Sequence, residues 1–199
     1  MRRASTRFWL SVSCLLLASA ALGSESQESA KKESGQHHAN ELTLAGLRPG
    51  QNTLRQAVLK YGASKSEESG TASWHDVCRG HTLSIIAGDE NKIQTIRVSD
   101  SGIRTSQDCS NAKKGAGPSR WITGRGLSLG DPVPRVESLY GKPDSESPCT
   151  KNGEPLELLY YAFDWAGPDV PQVMEVVCTP KKNGKPGRVV EITLAAPSL

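Results

Sequence analysis

The sequence lacks the signatures of several common enzyme classes. It has no glycine-rich phosphate loop, and its histidines have no carboxylate partner at a diagnostic spacing. We therefore expect no catalytic residues, no metal ligands and no cofactor, and we predict that the protein is not an enzyme. An uncharacterised secreted hydrolase is the alternative, because the members of a catalytic triad need not be neighbours in sequence.

A positive charge excess is also absent once the first 23 residues are set aside. Lys plus Arg total 24 against 21 for Asp plus Glu, and three arginines but no acidic residue fall within 1–23. The rest of the chain is therefore neutral. Neutrality argues against a nucleic-acid partner or an anionic membrane surface as the ligand.

Residues 1–23 are typical of a secretory signal peptide. Three arginines form a basic start, an apolar run spans 8–22, and small residues precede a polar stretch. The run is short and rich in Ser and Ala, whereas a membrane span needs about 20 strongly apolar residues. An uncleaved anchor is the alternative. We predict a periplasmic or secreted protein with no membrane anchor after signal cleavage.

Four cysteines follow the predicted signal, and an even number in an exported chain indicates two disulfides with three possible connectivities. We favour Cys78–Cys109 and Cys149–Cys178. Each bridge then closes a loop of about 30 residues within one half of the chain. By reducing the entropy of the unfolded chain, each would stabilise the fold by roughly 3–4 kcal/mol.

A metal site is the alternative use of the first cysteine, because His75, Cys78 and His81 are spaced by threes. The segment leads into a strand pattern, and on a strand a spacing of three alternates faces. No second ligand cluster accompanies it, so we expect surface histidines near a disulfide.

Residues 24–41 contain almost nothing apolar and predict a disordered polar tether. After them the chain repeats a pattern at an offset of 80 residues: residues 46–50 and 126–130 each begin and end with glycine, and each precedes a short helical stripe. Both stripes finish in Tyr-Gly. This is the signature of one structural unit made twice.

Helix boundaries follow from the same repeat. Thr53 and Asp131 are the expected N-caps, and Gly62 and Gly141 the expected stops. Alternating apolar residues then predict strands over 71–78, 82–87, 92–98, 156–165, 172–178 and 188–194.

We therefore predict an α+β protein of two tandem modules, each a short helix packed on a roughly three- to four-stranded antiparallel sheet. The modules span 42–111 and 123–199, and the linker between them spans 112–122.

The second half resembles the SmpA/BamE-like module of bacterial envelope proteins through Gly130, Val136, Tyr140, Gly141 and Pro143. Two such modules in an exported chain with disulfides inside each repeat are also similar to the layout of β-lactamase-inhibitory proteins. The resemblance covers about 42–199. It implies a helix on a strand meander and a role in outer-membrane assembly or in protein inhibition.

The segment 158–165 is rich in aromatic residues, and one face of it carries Tyr161, Phe163 and Trp165. This face is either core or a surface that anchors a partner, which Trp74 and Trp121 would extend. We expect an exported non-catalytic protein-binding module, inhibitor-like or scaffold-like, with an unknown protein partner in the envelope or outside the cell. A periplasmic accessory of outer-membrane assembly or maintenance is the alternative.

Overall fold

The computed structural model describes residues 40–64, 66–68, 70–102, 121–163 and 172–196. The predicted signal peptide, Cys109 and Trp165 lie outside this part of the chain. In chain order the regular elements are α1 (Leu54–Tyr61), β1 (Ser66–Glu68), β2 (Thr71–Asp76), β3 (His81–Ala87), β4 (Ile93–Asp100), α2 (Val133–Tyr140), β5 (Ser145–Lys151), β6 (Glu154–Ala162), β7 (Val173–Cys178) and β8 (Val189–Ala195). None of the helices in these ranges is long and apolar enough to cross a membrane.

The strands of the described ranges form one antiparallel sheet in the order β1-β2-β3-β4-β8-β7-β6-β5. The α+β class is thus confirmed, but the expectation of a separate sheet in each module is wrong. The last strand of each half pairs with the other, so that Ile96 lies opposite Leu194 and Val98 opposite Ile192. This pairing satisfies two strand edges that would otherwise be open to solvent.

Both helices end at the predicted glycines, and α1 begins at its predicted cap. The Thr53 hydroxyl accepts a hydrogen bond from the N–H of Gln56, and the side-chain carbonyl of Gln56 in turn accepts one from the N–H of Thr53. The cap of α2 differs from the prediction. Pro132 takes that position without a side-chain hydrogen bond, and the Asp131 carboxylate instead accepts from the N–H and the hydroxyl of Ser128.

Every predicted strand is present within a few residues, but β1 and β5 were not predicted. β5 is the longer of these two. All its residues are exposed except the half-buried Cys149, so it carries no alternating pattern that a sequence reader could recognise. It forms because all seven residues pair with β6. Its place at the sheet edge explains why it needs no apolar face.

Both helices cover one face of the sheet and bury a single core with it. Fully buried Ile85 and Ile96 of the first half and Ile192 of the second belong to the same cluster as Ala57 of α1 and Val136 of α2. The two halves therefore share one core rather than enclosing one each.

The loops that precede the helices also join the halves. The N–H of Ala45 donates to the carbonyl of Ile122, and the N–H of Gly124 donates to the carbonyl of Thr43, both at 2.9 Å. Glu41 closes this junction with its carboxylate, although sequence reasoning assigned it to the tether; its side chain is buried, with 2 % exposure.

Equivalent positions of the halves make matching hydrogen bonds. Gly50 and Gly130 each donate to the carbonyl of the residue that opens the last strand of its half, Ile93 at 2.7 Å and Val189 at 2.8 Å. Past each helix, the carbonyl of the terminal glycine accepts from an aromatic side chain of the sheet. Trp74 Nε1 donates to Gly62 at 3.0 Å, and the Tyr161 hydroxyl donates to Gly141 at 3.2 Å.

Candidate functional site

The aromatic residues expected as possible partner anchors are core residues in this fold. Tyr161 is fully buried, Phe163 is 3 % exposed, and Trp74 and Trp121 are each 7 % exposed. As anchors these four are a wrong assignment, and Trp165 lies outside the described residues. For Tyr161 the physical reason is the alternation of β6, in which Leu159 and Tyr161 face the helices while Tyr160 points the other way. Trp74 follows the same alternation on β2, where it and Ala72 are the buried residues.

The face of the sheet opposite the helices is the larger candidate surface, and we call it the open face. No helix among the described residues covers it. One row of directly opposed residues runs across five strands on this face: Ser84, Arg97, Thr193, Glu175 and Tyr160. Half-buried or exposed aliphatic side chains flank the row, among them Ile86, Val177 and Leu158.

An ion cluster lies at the centre of the open face. Glu191 is only 8 % exposed, and its carboxylate accepts from Lys151 Nζ and lies 3.4 Å from Arg97 Nε. Arg97 Nε also donates to the Thr193 hydroxyl at 3.2 Å. The two cationic side chains stay about half exposed, at 48 % and 46 %. The cluster therefore buries its anion and presents its cations.

The open face is concave at the second-half end. The backbone of Lys151 lies three strands away from that of Glu191, which is about 14 Å across a flat sheet. It also lies beyond Glu191 along the strand direction. The contact between them requires the β5–β6 hairpin to curl over the face. Under this hairpin lies a cleft of about 290 Å³ whose lining includes Asp100, Asn152 and Thr179.

The predicted Cys149–Cys178 disulfide is not formed, since both cysteines are free thiols. They lie on β5 and β7, with β6 between them, opposite Leu156 and Glu157 respectively. Two strand spacings are about 10 Å, and a disulfide needs its Cα atoms within roughly 7 Å. Their neighbours on β6 are consecutive residues, so the two thiols also point to opposite faces.

Cys78 is disulfide-bonded in the structure. Cys109 lies outside the described residues, so the pairing Cys78–Cys109 stays a prediction.

The histidines of the suggested metal site do not converge. His75 lies opposite Thr82 on the open face, and its Nδ1 is 3.0 Å from the Thr82 hydroxyl. His81 directly precedes Thr82 on β3 and therefore points to the other face. Within the described ranges, no group of three or more His, Cys, Asp or Glu side chains could hold a metal ion.

Residues 126–130 match the G-x-S-x-G elbow of serine hydrolases, a pattern that the sequence analysis missed. The structure gives the glycines another purpose. Gly126 and Gly130 adopt positive φ, as do Gly46 and Gly50 in the first half, where Arg48 stands in place of the serine. The same glycine conformations therefore occur in both loops, and the serine is not required for them.

No family model matches this chain, and no curated protein matches it either. Two solved structures are similar to this chain. The first is a DUF4309 family protein, YjgB, of Bacillus subtilis, with 12% identity, a TM-score of 0.45, and coverage of 79% of this chain and 88% of that chain. The second is a cysteine-rich secretory protein of Staphylococcus aureus, with 9% identity and a TM-score of 0.42. That alignment covers 80% of this chain but only 48% of the staphylococcal one.

Proposed function

We propose that this protein is an exported, non-catalytic protein-binding module that engages its partner through the open face. The observation that carries the proposal is the sheet itself, which has helices on one side and a concave, mixed polar and aliphatic surface on the other. The buried aromatic residues play no direct part in binding. They make the sheet rigid, so the surface is preformed.

The size of the open face suits a protein partner. Eight strands give a width of about 34 Å. Seven of them are six to nine residues long, which gives a height of about 20 Å, so the face covers roughly 700 Å². A standard protein–protein interface takes about 800 Å² from each partner. The face is much larger than a small-molecule site requires.

The chemistry of the face favours a partner that places a carboxylate over the ion cluster. Glu191 orients Arg97 and Lys151, and both contacts of Arg97 use Nε, whereas a guanidinium carries five N–H donors. Arg and Tyr are enriched at binding hot spots, and Tyr160 stands in the same row as Arg97. We expect Arg97 to contribute most of the binding energy and position 160 to lie against the partner.

We also propose that the two halves are tandem copies of one SmpA/BamE-like unit. The matching hydrogen bonds of Gly50 and Gly130, and of Trp74 and Tyr161, support this origin. Duplication of a unit whose last strand is unpaired produces the β4–β8 junction directly.

Site-specific photo-crosslinking in the native host tests the proposed surface. A benzophenone amino acid at position 160 samples the open face, and one at Leu59, 77 % exposed on α1, samples the helix side. We expect a discrete protein adduct from position 160 only, lost on Arg97→Ala and kept on Arg55→Ala, which removes an exposed arginine from α1. Equal adducts from both positions, or none from position 160, would overturn the proposal.

Cell fractionation separates this function from a role in outer-membrane assembly or maintenance. A freely released protein that still gives the position-160 adduct fits the binding module. Retention in the outer-membrane fraction, with adducts to assembly components, would instead support the accessory role.

A further inference from the structure

A second cavity lies on the helix side, away from the open face. It has a volume of about 280 Å³ and forms where the β2–β3 turn of the first half meets the loop before α2. Its lining is mostly polar and includes Asp76, Arg79, His81, Trp121, Ser128 and Asp131.

The charges of this cavity are already compensated by the protein. Asp76 Oδ1 accepts from the N–H groups of Cys78 and Arg79 at 3.1 and 3.0 Å, and its Oδ2 binds the Arg79 guanidinium at 2.7 Å. Asp131 Oδ2 accepts from Ser128 N–H at 2.9 Å and hydroxyl at 3.2 Å, and Arg135 Nε lies 3.6 Å from it as its counter-ion. A carboxylate oxygen has two lone pairs, so acceptor capacity remains on both residues, while neither needs a further counter-ion.

Trp121 supplies the complementary group. Its side chain lines the cavity and is 7 % exposed, and its Nε1–H is buried without a hydrogen-bond acceptor. A buried donor left unpaired costs about 1–3 kcal/mol. An acceptor atom brought by a ligand, with a small adjustment of the indole, would recover this free energy.

We propose that this cavity binds a neutral polyhydroxylated ligand of about the size of one sugar ring. Each hydroxyl both donates and accepts, so two adjacent hydroxyls can donate to Asp76 and accept from Arg79, while a third donates to Asp131. A ligand with a full charge gains less, because the ionised groups are already paired. The volume is slightly below the usual range of drug-sized pockets, which fits one ring rather than an oligosaccharide.

The indole N–H resonances offer a direct test by ¹H–¹⁵N NMR. Trp121 reports on the cavity, and Trp74, whose Nε1 is bonded to Gly62, is the internal control. The probes are glucose and N-acetylglucosamine as neutral rings, glycine as a zwitterion, and sodium acetate as an anion. We expect saturable movement of the Trp121 resonance with at least one sugar, no movement with glycine or acetate, and none of Trp74. No movement with either sugar, or equal movement with glycine, would overturn the proposal.

A matched pair of variants tests the role of the carboxylate. In the first half, Asn52 Oδ1 accepts from Arg48 N–H at 2.7 Å, just as Asp131 accepts from Ser128 N–H. Asn can therefore hold this type of loop, and Asp131→Asn should preserve the fold while removing an acceptor from the cavity. We expect sugar affinity to fall at least tenfold in Asp131→Asn and to be unchanged in Asn52→Asp. Arg79→Lys is the second cavity variant, and it should also lower the affinity because lysine lacks the planar set of N–H donors of the guanidinium. Unchanged affinity in both cavity variants would contradict the assigned binding mode.

Discussion

The Glu41 carboxylate is the polar centre of the junction between the halves, and its removal should strongly destabilise the protein. Its oxygens accept from the backbone N–H groups of residues 42, 43, 124 and 125 and from the hydroxyl of Tyr140, at 2.7 to 3.0 Å. The first two donors lie beside the surface and can turn to water. Of the other three donors, two belong to the loop before α2 and the third, Tyr140, is the last residue of α2.

The magnitude follows from these three contacts, of which the one with Tyr140 is buried and the other two are partly buried. Hydrogen bonds to a charged group contribute about 1.5–3 kcal/mol each, and breaking a buried charged network typically costs about 3–5 kcal/mol in total. We expect Glu41→Ala to lower the free energy of unfolding by about 3–5 kcal/mol. Glu41→Gln should cost about half as much, because the amide oxygen keeps part of the acceptor set and Tyr140 can accept from the amide N–H.

Urea denaturation followed by far-UV circular dichroism measures the effect. With a slope of roughly 2 kcal/mol/M, Glu41→Ala should lower the midpoint by about 2 M without changing the slope. Glu146→Ala removes an exposed glutamate of β5 and should stay within about 0.5 kcal/mol of the parent. A loss below about 1 kcal/mol in Glu41→Ala, or identical losses in the Gln and Ala variants, would refute the reasoning.

Three further predictions concern other parts of the fold. Burial raises the pKa of the Cys178 thiol to about 12, so a thiol reagent at pH 8 under native conditions should label Cys149 and spare Cys178. Peptide mapping by mass spectrometry measures this, and labelling of both thiols at one rate would contradict the structure. Burial likewise raises the pKa of Tyr61 to about 12, whereas the unfolded chain loses the Cys178 and Tyr61 protons near pH 9 to 10. The stability that these two groups contribute is therefore fully present below pH 9 and should fall as the pH rises toward 12. A urea midpoint that stays constant from pH 8 to pH 11 would be inconsistent with this. Gly187→Ala would place a Cβ 1.9 Å from the Thr179 carbonyl oxygen. The clash in the β7–β8 loop should lower the free energy of unfolding by at least about 2 kcal/mol in the same urea assay. An unchanged midpoint would show that the loop lies differently.

Local signals predicted the elements of this fold well. The helices end at Gly62 and Gly141 because each glycine adopts a positive φ that other residues avoid, and this requirement is written in the chain. Strand β8 could be recognised because an alternating apolar pattern needs no knowledge of its neighbours. Strand β5 could not, since its pairing with β6 rather than its composition holds it in place.

The candidate sites depended on information that no local pattern contains. Tyr161 and Tyr160 are neighbours of the same residue type, and only the packing of the helices decides that the first is buried and the second faces outward. The cavity beside Trp121 joins a turn of the first half to a loop of the second, so no spacing in the sequence could indicate it.

The sequence by itself determined the positions of the turns, the helix caps and the alternating apolar strands, because each of these features depends on residues close together in the chain. It also contained a glycine-bounded pattern at an offset of 80 residues, which predicted a short helix in each half. The tertiary structure alone decided that β4 pairs with β8, that Cys149 and Cys178 stay apart, and that Glu41 is buried. Each of these depends on contacts between residues that are distant in the chain, and the free energy of such contacts belongs to the assembled core rather than to any segment.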